Sequence, residues 1–159
     1  YDADNFHPQN NINKMKNFIP LEDEDRILWL SDIAARIEQW NKDGDAVLAG
    51  SALKEKYRRI LSCDGKEDVV FIHLEGDKKT ILHRMKERKE HFFTPKLLAS
   101  QFDALEEPLN AIKVRIDKAP DKVCEETMDK LIINGLTRLK SWNILCTEKV
   151  NLNPRYWQS

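Results

Sequence analysis

The run Val69-Val70-Phe71-Ile72-His73-Leu74 restricts the fold more than any other stretch. It is apolar apart from one histidine, too short for a core helix, and closed by Gly76-Asp77. Such a run predicts a strand buried on both faces, the kind found in a parallel sheet covered by helices. Ala46-Val47-Leu48-Ala49, set between Gly44 and Gly50, predicts another, and Ile112, Val114 and Ile116 alternate as a last strand. Helical periods fill the intervals. Residues 8–20 predict a short helix and a loop. Ile27, Leu30, Ile33, Ala34, Ile37 and Trp40 share a face of a helix over 22–42, and the acids Glu22-Asp23-Glu24-Asp25 suit its first turn. Leu53, Tyr57, Ile60 and Leu61 mark a helix after Gly50-Ser51. Ile81, Leu82 and Met85 mark one that enters the basic run 84–89. Thr94-Pro95 opens a helix with Leu97, Leu98, Phe102 and Leu105 inside. A final helix over 120–140 carries Val123, Leu131 and Leu136 inward. Strands alternating with helices predict an α/β fold with a three-layer parallel sheet, whose ligands sit at the carboxyl ends of the strands.

Composition narrows the partners. At 159 residues one domain is expected, and Lys+Arg 26 against Asp+Glu 27 leaves a net charge of -1. That balance gives no general attraction to nucleic acid or to an anionic membrane, although a local anion site stays open. Cys63, Cys124 and Cys146 form no CxxC pair and read as reduced thiols of a cytoplasmic protein. No apolar run approaches the ~20 residues of a membrane span.

The chemistry gathers at one predicted rim. In Tyr1-Asp2-Ala3-Asp4-Asn5-Phe6-His7-Pro8, alternation along a strand would put Asp2 and Asp4 on one side. Paired acids there can hold magnesium and take a proton from a hydroxyl; an isolated pair of this kind is more often an Asx turn. Lys54 and Arg58, four apart, could share a helix face and converge on a carboxylate or phosphate, or form a solvated basic face with Tyr57 packed inward. The run 84–89, followed by His91-Phe92-Phe93, has the composition of a lid that closes arginines over phosphates, and equally of a solvated helix end. His91 reads more readily as a packed cap than as an acid or base, and His73 and His83 as structural.

Taken in order, the blocks DADNFHP, NINKMKNFIPLEDEDRILWL, GSALKEKYRRIL, VVFIHLEGDKKTILHRMKERKEHFF and LLASQFDALEEP resemble gluconokinase, the ATP-dependent sugar-acid kinase related to shikimate kinase. The resemblance runs from Tyr1 to about Pro108 and more weakly through the last strand and helix. It implies a P-loop nucleoside-triphosphate-kinase-like fold, with a kinase domain over 1–141 and an irregular tail over 142–159. It implies phosphorylation of D-gluconate to 6-phosphogluconate in the cytoplasm, with ATP and Mg2+, and leaves a homodimer open. On the matched positions, Asp4 corresponds to the base and Asp2 to the acid associated with magnesium. His7 follows in the substrate loop, Arg26 corresponds to the clamp on the gluconate carboxylate, and Lys54 and Arg58 lie on the substrate side. Arg84 and Arg88 correspond to the lid over the ATP phosphates, and Gln101 to an adenine-side or lid-support position.

Two departures stand out. No GxxxxGK[ST] phosphate loop occurs in these residues, and the chain begins at Tyr1, where the family would have just completed that loop. An N-terminally truncated form, incomplete at its first strand, is therefore expected, with weak ATP binding and impaired turnover. Glu90 stands where relatives tend to carry glycine, which could stiffen the lid. A kinase for another small anionic hydroxy acid, and a noncatalytic fragment that only binds the sugar acid, remain the alternatives.

Overall fold

The computed structural model describes residues 1–17, 19–65, 69–87 and 95–136. A 3-10 turn, Ala3–Phe6, leads into α1 (Gln9–Lys16) and α2 (Asp23–Asp43), then α3 (Glu55–Leu61) and a second 3-10 turn, Cys63–Gly65. β1 (Ile72–Glu75), α4 (Lys78–Glu87), α5 (Pro95–Ala104), β2 (Ile112–Arg115) and α6 (Pro120–Ile133) follow. None of the described helices is long and apolar enough to cross a membrane. Arg88, Glu90, His91, Cys146 and the tail over 142–159 lie outside the described residues. The described residues form two compact units: residues 1–69 with 95–107, and residues 70–87 with 108–136.

In the first unit, α2 starts where its acids can do most. Glu22 caps it in a reciprocal box with Asp25, each side chain accepting from the other's backbone N–H. Its inward stripe is Trp29, Leu30, Ile33, Ala34 and Ile37, with Ile33 fully buried. The expected stripe is corrected at both ends. Ile27 is exposed; Trp29 turns in instead, because its indole N–H reaches the carbonyl of Ala3 at 3.1 Å. Trp40, half-buried, stacks on Tyr1 with ring centres 4.0 Å apart.

The strand expected over 46–49 is reduced to one parallel bridge between Asp2 and Ala49. Ala49 donates to Tyr1 O at 2.9 Å and Ala3 donates to Ala49 O at 2.8 Å. There the ladder stops, because Ala3 already belongs to the 3-10 turn, and Val47 stays exposed. A Cβ on Gly50 would stand 3.0 Å from Ala3 Cβ, so this glycine lets the two segments approach.

In the second unit, β1 and β2 pair in parallel, in the register Ile72 with Ile112 through Glu75 with Arg115. Parallel pairing agrees with expectation; burial on both faces does not. Ile72 and Leu74 are each 37% exposed, because the core, built from Val114, Ile116 and Val123 with Ile81 and Ile112 against them, lies on β2 and α6. The last helix also ends early. Gly135 takes φ +74, its N–H donates to Ile132 O, and Leu136 N–H donates to Leu131 O, a Schellman closure that stops α6 seven residues short of 140. Leu136 accordingly does not join a buried face.

Gly76, at the end of β1, is where this unit tolerates least. A Cβ there would lie 2.6 Å from both Cγ1 and Cδ1 of the buried Ile116. Gly76→Ala is expected to cost about 1–3 kcal/mol by overpacking. Ile116→Val in the same chain should recover part of that, read as a coupling energy from urea unfolding of the two single variants and the double.

Candidate functional site

Asp2 ends the bridge in an extended conformation and caps the turn that follows, its Oδ1 accepting from Asp4 N–H at 3.0 Å. This is an Asx turn. The bland reading of the acid pair is what the backbone shows: the turn, in place of strand alternation, carries Asp4 round beside Asp2. The same turn brings His7 over Asp4, with Nε2 3.9 Å from Oδ1 and both side chains nearly enclosed.

The environment separates the two groups. Burial, with the Asp2 charge beside it, pushes Asp4 up from 3.8 to about 7. Burial, with the Arg26 charge in second place, pushes His7 down from 6.5 to about 4. At neutral pH this gives a neutral imidazole facing a carboxyl group close to half ionised. His7 lies flat on Trp29, ring centres 4.0 Å apart, and its Nδ1 is 3.4 Å from the amide nitrogen of Asn11.

Arg26 stands on the first turn of α2 and donates to Leu21 O at 3.3 Å; its charge acts on both His7 and Tyr57. Next to it, Asp23 accepts from Lys54 at 3.3 Å, from Lys56 and from the Tyr57 hydroxyl. Those three donors, Lys56 foremost, hold Asp23 well below the usual carboxylate range. Burial, then the bond to Asp23, raises the Tyr57 phenol. Two lysines against one carboxylate leave positive charge over, and Arg26 adds to it.

Lys54 and Arg58 do not share a face, which corrects that expectation. Lys54 is the extended N-cap residue of α3, whereas Arg58 turns inward and is 6% exposed. Its guanidinium donates to Ala52 O at 2.9 Å, Leu53 O at 3.0 Å, Glu106 O at 2.8 Å and Glu55 Oε2 at 2.9 Å. Glu106 answers by donating its N–H to Leu53 O and taking Glu55 N–H on its carboxylate. Arg58 is thus the clamp of the loop that presents Lys54, and Ala52 in that loop holds a strained φ of +31°. Arg58→Lys keeps the charge and loses the fork, so stability should fall by about 2 kcal/mol. The check is a lower urea midpoint with no ligand added; a role confined to ligand would leave that midpoint unmoved.

The remaining expected residues are less informative. Gln101, on α5, is half-buried. Arg84 lies in the second unit and donates to Lys118 O at 2.5 Å. Asn11, Trp29, Asp23 and Tyr57 were not expected as site residues. Only Asn11 left a local signal, a polar residue four positions before the buried Met15 on the inward side of α1.

For magnesium, the donor set is small but suitable. Oδ1 of Asp2 is spent on the turn, while its second oxygen accepts no hydrogen bond among the described residues. No group of three or more His, Cys, Asp or Glu gathers among the described residues. Magnesium usually takes one or two carboxylates and completes its shell with water and phosphate, so Asp2 fits as a single ligand.

No family model matches the chain. Curated proteins do. A probable gluconokinase of Dictyostelium discoideum is 39% identical over 143 residues, covering 82% of this chain and 72% of its own. The thermoresistant gluconokinase of Escherichia coli strain K12 is 38% identical over 135 residues, covering 80% and 75%. The crystal structure of a gluconokinase from Sinorhizobium meliloti 1021 superposes with a TM-score of 0.72 at 30% identity, covering 88% of this chain and 82% of that one.

Proposed function

The chain belongs to the gluconokinase family, and from that premise we propose that it binds gluconate at the Asp4–His7–Arg26–Lys54 cluster for phosphoryl transfer from ATP. The fold is accordingly the α/β kinase fold of its structural neighbours. One observation carries the assignment of the site: Asp4 is enclosed, paired with Asp2, and balanced near neutral pH. A base whose pKa lies close to working pH is both available as carboxylate and strong enough to take the proton of an alcohol. Arg26 and Lys54 supply the positive charge for the sugar-acid carboxylate, Arg26 by its fork and Lys54 by a point charge shared with Asp23. His7, neutral and fixed on Trp29, faces the reacting end. Magnesium held by Asp2 would neutralise charge on the phosphates when bound. Arg84, and Arg88 outside the described residues, are the proposed lid contacts to ATP, and Gln101 the adenine-side support. A cytoplasmic location and self-association belong to the same proposal.

The test separates acceptor binding from transfer, because GxxxxGK[ST] does not occur in these 159 residues. Calorimetry should detect gluconate binding to the chain, with a neutral polyol of the same length bound at least ~10²-fold more weakly, since it lacks the carboxylate that would take charge-assisted hydrogen bonds from Arg26 and Lys54. Equal affinity for both would sink the site assignment. Coupled turnover with Mg-ATP then distinguishes an active kinase from a noncatalytic gluconate binder, and a panel of small hydroxy acids fixes the substrate.

A further inference from the structure

Asn11 is among the most enclosed polar residues described, 2% exposed, and nothing in the proposed reaction uses it. Its side-chain nitrogen makes two contacts. One is to the backbone carbonyl of Asp25 at 3.1 Å, and the other is to His7 Nδ1 at 3.4 Å. A carbonyl can only accept, so the Asp25 contact fixes which end of the amide is the NH2 group. An amide NH2 can only donate, so the second proton goes to His7 Nδ1, which must then be the bare ring nitrogen. The imidazole proton is left on Nε2, the nitrogen that faces Asp4 Oδ1 at 3.9 Å.

We infer that Asn11 is a positioning residue that locks His7 in its Nε2–H tautomer, so that a neutral ring donor is held opposite the Asp4 carboxylate. Resting on the proposed function, this gives His7 a defined duty. At 3.9 Å the two groups are too far apart to bond each other directly, and an oxygen about 2.8 Å from each would bridge them. A substrate hydroxyl there would give its proton to Asp4 and accept from His7 Nε2–H, which leaves the reacting oxygen one defined orientation. The other tautomer would present a bare nitrogen, compete with Asp4 for the hydroxyl proton, and set the hydroxyl wrongly. The groups that face His7 are consistent with a neutral ring: Arg26 opposes a second positive charge, and the Trp29 face covers one side.

The experiment reads the tautomer directly and needs no turnover, so an inactive kinase would not bear on it. Long-range 15N–1H correlation of the ring nitrogens in the 159-residue chain should show one of the four histidines as pure Nε2–H, and His7→Gln should remove that signal. In Asn11→Asp the new carboxylate accepts from Nδ1, so the His7 pattern should change to Nδ1–H or to the doubly protonated ring. In Asn11→Leu it should relax towards a tautomer mixture. A wild-type His7 found as Nδ1–H, or as the usual mixture, overturns the inference without any variant having to fold. An unaltered His7 pattern in a folded Asn11→Asp chain overturns it as well.

Discussion

Asp4→Asn is expected to lower kcat by about 10²–10⁴-fold, the range that general-base catalysis contributes. The amide has the shape of the carboxylate and cannot take a proton. The Asx turn should survive, because it is built by Asp2 Oδ1 and the backbone N–H of residue 4, neither of which the substitution alters. Gluconate affinity should therefore stay within a few-fold, since the positive charges of Arg26 and Lys54 are untouched. The comparison is made in the whole gene product, with kcat from coupled turnover at saturating Mg-ATP and affinity from calorimetry. Near-normal kcat would remove Asp4 from the base role. Lost affinity with near-normal kcat would show that Asp4 holds the substrate without carrying the proton.

The site was legible in the sequence wherever its parts are neighbours along the chain. Asp2, Asp4 and His7 fall within six residues of one another, and a single Asx turn is enough to gather them. Arg26 entered through the family resemblance alone; the four acids before it marked only the helix start, where Glu22 and Asp25 form a capping box. What stayed hidden depends on partners far along the chain. Arg58 looked like a surface cation four residues from Lys54, and only the carbonyls of Ala52, Leu53 and Glu106 draw it inward. Trp29 replaced Ile27 on the buried stripe for the sake of one hydrogen bond to Ala3, 26 residues away. The strands were the least legible elements. An apolar run shows that a segment can be buried, but the length and burial of a strand depend on its neighbours. Val47 and Ile72 lie in such runs and are both exposed among the described residues. At the end of α6 the local signal outweighs the apolar period: Gly135 followed by Leu136 closes the helix in a Schellman turn, although Leu136 keeps the helical spacing.

The opposed shifts of Asp4 and His7 have a consequence for stability that can be measured without ligand. Asp4 keeps its proton up to about 7 in the folded chain but releases it near 3.8 when unfolded. Acidification through that window therefore favours the folded state, by about 4 kcal/mol at roughly 1.4 kcal/mol per pH unit. His7 runs the other way. Unfolded, it takes a proton near 6.5, but folded it resists until about 4. Acidification through that window favours the unfolded state, by about 3 kcal/mol on the same conversion. Between pH 6.5 and 4 the two slopes nearly cancel, so the unfolding free energy of the first unit should be almost flat, contrary to ordinary acid lability. Neither residue's charge is among the causes of the other's shift, which are burial with Asp2 for one and burial with Arg26 for the other. Each slope should therefore persist when its counterpart is removed. Asp4→Asn should lose stability steadily from pH 6.5 to 4, and His7→Gln should gain it over the same range. The carboxylates held low by their partners, Asp25 and Asp23 among them, add their own losses only at more acidic pH. Urea unfolding in metal-free buffer, followed by tryptophan fluorescence, reads this at the right place, because Trp29 stacks directly on His7. Parallel curves for the three proteins across the window would show that the pair is not enclosed as described, and with it would go the argument for a base balanced near neutral pH.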